Sequence, residues 1–183
     1  MDNIYISPSN QIANTFIIGN FNEHSYAIEL SMKLKHYLSL RKYNVHTSRE
    51  KQNIFSRPSS AKEADCSLYI ALHSSFSYNH QSTGTICYYH PNDKVGIQLA
   101  NQILNNLTNI CPIEPNIKNA LRDGTKIYGD CNLIEIEYPY NLGMVAVLVE
   151  INFHDNLETC RWLINSINEI AESISKAILF DFT

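Results

Sequence analysis

Several features are scarce in this chain, and each absence argues against a class of protein. Charged residues make up only 17% of the 183 residues, and the net charge is −4. A weakly acidic chain with no run of Lys or Arg is not built to bind nucleic acid. No apolar stretch approaches the ~20 residues needed to cross a membrane. The first residues lack the charged and then apolar pattern of a signal peptide. We therefore expect a chain made without a leader and without membrane insertion.

The number and spacing of the cysteines argue against a disulfide framework, a cysteine metal site and a cysteine nucleophile. The five cysteines are an odd number and form no CxxC pair, which argues against disulfide pairing and a cysteine zinc knuckle. None stands at a strand-to-helix elbow beside a candidate base, so a cysteine nucleophile is also disfavoured. The positions are Cys66, Cys87, Cys111, Cys131 and Cys160.

What the chain does contain is 44% hydrophobic residues, enough for the core of one domain spanning residues 1–183. Apolar runs predict strands at 4–6, 45–47, 67–72, 84–89, 133–137 and 144–151. Helical spacing predicts helices over Glu23–Leu40, 57–64, 94–107 and 157–179, the first capped by Asn22 and the last broken near Ser166. Residues 108–130 are predicted to be a long loop. The alternation predicts an α/β sandwich with a mainly parallel sheet of about six strands.

Two of the apolar strands run directly into residues that carry chemistry. The segment 146–149 continues into Glu150, and a buried strand has no structural use for an unpaired carboxylate. The strand at 67–72 is followed directly by His73. Because open α/β sheets place their chemistry at the carboxyl ends of strands, we predict one metal-assisted active site containing both residues.

Two further residues complete a candidate ligand set, although each also has a purely structural interpretation. Glu23 begins the first helix, where a carboxylate also complements the helix dipole. His154 follows the 144–151 strand, in a turn where Asp155 or Asn156 also suits a helix N-cap. Together with His73 they supply the nitrogen and oxygen donors of a catalytic zinc, which takes three protein ligands and a water. Glu150 is then placed to accept the proton of that water.

The order and spacing of these motifs resemble one protein family over residues 4–178. The motifs are Ser7-Pro8-Ser9-Asn10-Gln11, Asn22-Glu23, Ala64-Asp65, Leu72-His73-Ser74-Ser75, Gly84-Thr85 before a Tyr-Tyr strand, and the run from Leu148 to Asn156. They are similar to the zinc-dependent N-acetylmuramoyl-L-alanine amidases of the third amidase type, found in bacterial autolysins and phage endolysins.

The resemblance implies a fold, an activity and roles for individual residues. The fold is a twisted, mostly parallel sheet flanked by helices on both faces. The activity is hydrolysis of the amide that joins N-acetylmuramic acid to L-alanine in peptidoglycan, the expected partner. Glu23 and His73 match zinc ligands of the family, and Glu150 matches its catalytic glutamate. Arg57 and Ala61 match a helix pattern to which we assign a structural role.

One departure from the family pattern leaves several hypotheses open. Asn10 stands where the family has its first histidine ligand, and an amide oxygen is a poor zinc ligand beside imidazole. Our first hypothesis is a rearranged triad of Glu23, His73 and His154, with Glu150 as base. Alternatively, Asn10 or Gln11 ligates zinc directly or through water. A lost site would give a noncatalytic wall-binding module, and a zinc hydrolase of other N-acylated peptides is a third possibility.

Overall fold

Short apolar segments form an open sheet in the computed structural model, which describes residues 3–49, 52–126 and 132–178. Within these ranges the sheet has six strands: β1 (Asn3–Pro8), β2 (Asn44–Thr47), β3 (Cys66–Ser75), β4 (Ile86–Tyr89), β5 (Leu121–Asp123) and β6 (Val145–Phe153). Six α-helices accompany it: α1 (Glu23–Leu40), α2 (Arg57–Glu63), α3 (Lys94–Ile110), α4 (Ile134–Asn141), α5 (Leu157–Asn165) and α6 (Ile167–Ala177). No helix in the described ranges is both long and apolar enough to span a membrane.

The strand order brings two of the predicted chemical residues together. The order is β2-β1-β3-β6-β4-β5, in which β1, β2, β3 and β6 run parallel. Strand β4 is antiparallel to β6, and β5 is parallel to β4. The predicted α/β fold with a mostly parallel sheet is therefore confirmed. His73 of β3 pairs with Glu150 of β6, so the two side chains are cross-strand neighbours.

Helices cover both faces of this sheet, as the family resemblance implied. Successive strand residues point to opposite faces. Leu72 belongs to the apolar cluster that includes residues of α1, α3, α5 and α6. Leu148 belongs to the second cluster, which includes residues of α2 and α4. By the same alternation, His73 and Glu150 lie on the face covered by α2 and α4.

The start of α1 fixes the position of Glu23. Asn22 is the N-cap, as predicted: its side chain accepts a hydrogen bond from the Ser25 amide at 2.8 Å. In return, the Ser25 hydroxyl accepts a hydrogen bond from the Asn22 amide at 3.0 Å, which completes a capping box. Glu23 is therefore the first residue of the helix, and its side chain is buried.

Two of the sequence predictions are wrong between residues 108 and 137. Residues 133–137 were predicted as a strand, but they begin helix α4. Their apolar residues alternate, yet Glu135, Ile136 and Pro139 are the buried positions, which is a helical spacing. The sixth strand is instead β5, within the predicted 108–130 loop. At three residues, β5 is too short to give a period-two pattern.

We predict that Asn22→Ala lowers the free energy of unfolding by about 1 kcal/mol, because the first turn of α1 loses its side-chain cap. Urea unfolding monitored by circular dichroism measures the change. The matched control is Asn168→Ala at an exposed position of α6, where alanine favours the helix. Equal stability of the Asn22→Ala variant and the parent chain would contradict the capping role.

Candidate active site

His73 is held between two buried carboxylates. Its Nδ1 lies 2.9 Å from Oε1 of Glu23, and its Nε2 lies 2.9 Å from Oε2 of Glu135. The carboxylate side chains are only 1% and 2% exposed. Glu23 comes from α1 and Glu135 from α4, helices that cover opposite faces of the sheet. The imidazole therefore connects both helical layers at the end of the sheet.

Glu135 is a site residue that the sequence patterns did not indicate. Its Oε1 accepts hydrogen bonds from the Ser7 hydroxyl and, at 3.0 Å, from the Tyr69 hydroxyl. Buried Arg57 lies with Nη1 at 4.0 Å from the same oxygen. Arg57 also donates to the Ser7 hydroxyl at 2.9 Å and to the Pro8 carbonyl at 2.6 Å. The Glu135 carboxylate is thus anchored to β1, β3 and α2, which agrees with the structural role expected of Arg57.

Opposing effects set the protonation of these groups. Burial lowers the pKa of His73, but hydrogen bonds to Glu135 and Glu23 outweigh burial and raise it to about 10. Burial raises the pKa of both glutamates, but the hydrogen bond and the charge of His73, together with further hydrogen bonds, outweigh burial and leave both pKa values below normal. In the absence of a metal, the two carboxylates are therefore balanced by protonated His73 and by Arg57.

Glu23 is also connected to the loop that carries the departure from the family pattern. The Asn14 amide donates to Oε2 of Glu23 at 2.7 Å and to the side-chain oxygen of Gln11, also at 2.7 Å. Asn10 and Gln11 are both exposed. Of these two residues, Gln11 contributes to the same cavity as His73. The described contacts therefore connect Gln11 to Glu23 through Asn14.

Glu150 lies beside His73 in a cavity of about 210 Å³. Its Oε2 accepts a hydrogen bond from the Ser75 hydroxyl at 2.5 Å. Burial raises the pKa of Glu150, and the Ser75 bond and the His73 charge only partly oppose this rise. A carboxyl with a raised pKa is a better proton acceptor once ionised. The cavity is lined by Gln11, Ile54, His73, Leu133, Ile134, Glu135, Leu148 and Glu150.

His154 is placed apart from this cavity lining. The residue is 1% exposed, its Nδ1 lies 2.9 Å from the Ser74 hydroxyl, and its ring stacks on Phe16 with centroids 5.2 Å apart. Burial lowers its pKa, and the charges of Glu23 and Asp155 only partly reverse that shift. His154 is therefore a buried, packed histidine whose lowered pKa favours the neutral ring, and the charge of Glu23 acts on it. Of the two predicted N-cap candidates, Asp155 and Asn156, it is the Asn156 side chain that caps α5.

The predicted metal donors are only partly brought together in this structure. Glu23 and His73 face each other, but the described residues contain no cluster of three or more His, Cys, Asp or Glu side chains around one point. Four of the five cysteines are described, and all are free thiols. Burial raises the pKa of each of the four. A thiol with a raised pKa is a poor nucleophile at neutral pH, which favours the glutamate and histidine chemistry.

Comparison with known proteins connects this geometry to a family. The sequence profile described as N-acetylmuramoyl-L-alanine amidase matches residues 10–179. The chain belongs to this family of peptidoglycan amidases. No curated protein matches it at a significant level. The assignment therefore stands on the family profile, which spans nearly the whole chain.

Solved structures of amidases have the same fold at low sequence identity. The catalytic domain of CwlV from Paenibacillus polymyxa is 18% identical, with 97% of this chain and 96% of that chain covered and a TM-score of 0.79. An amidase from Clostridium difficile 630 is 18% identical, with 97% and 95% covered and a TM-score of 0.78. The catalytic domain of the CD27L endolysin, which targets Clostridium difficile, is 20% identical, with 98% and 97% covered and a TM-score of 0.71.

We predict that Glu135→Gln lowers the pKa of His73 by about 1–3 in metal-free protein, because one of its two carboxylate partners loses its charge. A raised folded-state pKa stabilises the fold fully below the unfolded value of about 6.5, and that stabilisation is lost as pH rises toward 10. In the variant the loss should begin at the same pH, but it should be smaller and be complete at a lower pH.

Histidine NMR titration after chelator treatment measures the pKa, and urea unfolding at several pH values measures the stability. Glu63→Gln, at an exposed position of α2, is the matched control. An unchanged His73 pKa in Glu135→Gln would show that the Glu135 contact does not control the imidazole.

Proposed function

We propose that the chain hydrolyses the amide between N-acetylmuramic acid and L-alanine with a zinc ion held by Glu23 and His73. The observation that carries the proposal is the contact of Glu23 Oε1 with His73 Nδ1 at 2.9 Å, with a second carboxylate, that of Glu135, on the opposite ring nitrogen. The proposed roles of Glu135, His154 and Glu150 follow from their positions relative to Glu23 and His73.

The Glu23 and His73 donors fit a zinc ion in kind and in spacing. Zinc takes carboxylate oxygen and imidazole nitrogen at about 2.0–2.1 Å, so two tetrahedral ligands lie roughly 3.3 Å apart. The 2.9 Å between Oε1 and Nδ1 is close to that value. A zinc-bound histidine usually gives its other N–H to a carboxylate, which fixes the ring. Glu135 is placed for that supporting role, at 2.9 Å from Nε2.

His154 is our proposed third protein ligand. Its Nδ1 lies 2.9 Å from the Ser74 hydroxyl, and its lowered pKa favours the neutral ring that ligation requires. If Nδ1 donates to Ser74, Nε2 carries the lone pair. The alternatives are Asn10 and Gln11, directly or through water. Gln11 has the better contacts of the two, because it lines the cavity and is linked to Glu23 through Asn14.

Glu150 is the proposed general base. Bound zinc would lower the pKa of a water and polarise the lactyl carbonyl of the substrate. Glu150 accepts a proton from the attacking water and later delivers it to the departing L-alanine nitrogen. The Ser75 hydroxyl holds Oε2, which leaves the other oxygen for this transfer. Loop 77–83 and the segment 111–120, which is part of the predicted 108–130 loop, are bonded to each other through Thr83 and Asn116. We propose that these two segments form a wall of the groove.

The biological setting follows from the substrate. Peptidoglycan lies outside the membrane, so we propose action at the bacterial cell wall, either as a phage endolysin or autolysin or as part of a longer exported protein. The replacement of histidine by Asn10 favours one rival function, a wall-binding module that has lost zinc. Zinc content separates this rival from the enzyme.

We predict that Glu150→Gln lowers amidase activity by about 10²–10⁴-fold while zinc content is unchanged, because an amide cannot accept the proton. The appearance of new N-terminal L-alanine amino groups in purified peptidoglycan measures activity, and elemental analysis measures zinc. Glu158→Gln, at an exposed position of α5, should retain normal activity. A Glu150→Gln variant that cleaves walls at the normal rate would remove Glu150 from the mechanism.

We also predict that His154→Ala loses zinc and that Asn10→Ala binds it nearly normally. Loss of a direct ligand should weaken binding by more than the roughly 10–100-fold typical of a supporting residue. Zinc titration calorimetry on the two variants measures the difference, with His36→Ala on α1 as a remote control. The reverse pattern would overturn the rearranged triad and assign the third position to Asn10.

A further inference from the structure

A second cavity lies on the same face of the sheet as Glu150. It has a volume of about 510 Å³, and its lining includes Tyr88, Lys118, Asn119, Arg122, Asp123 and Lys126. We call it the β5 cavity, since Arg122 and Asp123 belong to β5. Three cationic side chains and one carboxylate give it a net positive lining. Its size is in the range of cavities that bind small molecules and short peptides.

The cations of the β5 cavity are available to an external anion. Arg122 donates from Nε to the Asn119 carbonyl at 2.7 Å and from Nη1 to the Tyr88 hydroxyl at 3.3 Å. Two of its five N–H donors are thereby used and the group is oriented. Among the described residues, no carboxylate forms an ion pair with Lys118, Arg122 or Lys126. One oxygen of Asp123 accepts hydrogen bonds from the amide and the hydroxyl of Thr125, and Lys126 is the cavity cation whose charge acts on this carboxylate.

The sheet register connects this cavity to the active site. Tyr88 pairs with Leu148, and Leu148 lines the cavity that contains His73 and Glu150. Arg122 pairs with Tyr88 on the next strand. Two strand spacings separate Arg122 from Leu148, which is roughly 10 Å. An extended peptide covers that distance with about three residues.

We propose that the β5 cavity binds a carboxylate of the stem peptide, about three residues beyond the scissile amide, and selects stem peptides whose carboxylates are free over amidated ones. The inference rests on the proposed amidase function and specifies the peptide side of its substrate. The glycan strand is neutral once the lactyl group is amidated, so the peptide side is where charge complementarity is available. The peptide then runs from β6 across β4 toward β5, and the sugar lies on the side of β1 and β3.

Kinetics on a matched pair of soluble substrates test the proposal. The pair is an N-acetylmuramoyl tripeptide with free carboxylates and the same compound with carboxamides. The parent chain should have a KM roughly tenfold lower for the free form. Arg122→Gln should raise KM for the free form by about tenfold and should raise KM for the amidated form much less. Arg122→Lys should retain part of the preference, and Lys118→Gln, at an exposed side chain, should reduce it.

Lys176→Gln on α6 is the control for loss of a positive charge elsewhere, and it should leave the preference intact. Equal KM values for the two substrates in the parent chain would overturn the proposal. An unchanged preference in both Arg122→Gln and Lys118→Gln would overturn it as well. So would an Arg122→Gln defect confined to walls that carry phosphate polymers, because the anion would then be a wall polymer.

A binding measurement separates failure of this inference from failure of the amidase function. Calorimetry with Glu150→Gln and the free-carboxylate tripeptide does not require cleavage. Binding that weakens by about tenfold in the Glu150→Gln, Arg122→Gln double variant supports the cavity even if no hydrolysis is found. Binding that is the same with and without Arg122 overturns the cavity assignment even if the chain is an active amidase.

Discussion

The contact of one imidazole with two buried carboxylates is the constraint on which the site depends. His73 lies near the carboxyl end of β3, where its ring contacts Glu23 from α1 and Glu135 from α4. Burying carboxylates is costly unless they are paired, and removing one partner of such a pair typically costs about 3–5 kcal/mol. The positions of α1 and α4 relative to the sheet are therefore tied to the protonation or ligation of one ring.

The two sides of this ring have different characters, and that asymmetry supports a metal centre. On the Nε2 side, Glu135 is fixed by Ser7, Tyr69 and Arg57 in a closed network. On the Nδ1 side, Glu23 accepts hydrogen bonds from Ser9 and from Asn14, an amide that also reaches exposed Gln11. A zinc ion replacing the proton between Glu23 and His73 would leave the Glu135 network unchanged. The Glu150 carboxylate lies beside the ring, where the proposed mechanism requires a base.

The sequence predicted the parts of this site that lie on long regular elements. Glu23 follows a recognisable N-cap, and His73 and Glu150 continue strongly apolar strands, so their approach could be inferred from strand parallelism. Glu135 could not, because the alternation of Ile134, Glu135, Ile136 and Glu137 indicates a strand, whereas packing against the sheet makes it a helix. The only signal was a carboxylate inside an apolar segment. The β5 cavity was missed for a related reason, since a three-residue strand takes its conformation from its neighbours rather than from its own pattern.

Zinc stoichiometry of the untagged chain, purified without chelator, tests the central claim most directly. Elemental analysis should find about one zinc per chain if Glu23, His73 and a third residue form a catalytic metal site. The metal should also be removed by a chelator and restored by added zinc. A protein that contains no zinc, and binds none when zinc is added back, would contradict the account. In that case His73 would be an imidazolium held between two carboxylates, and the chain would be a wall-binding relative of the amidases.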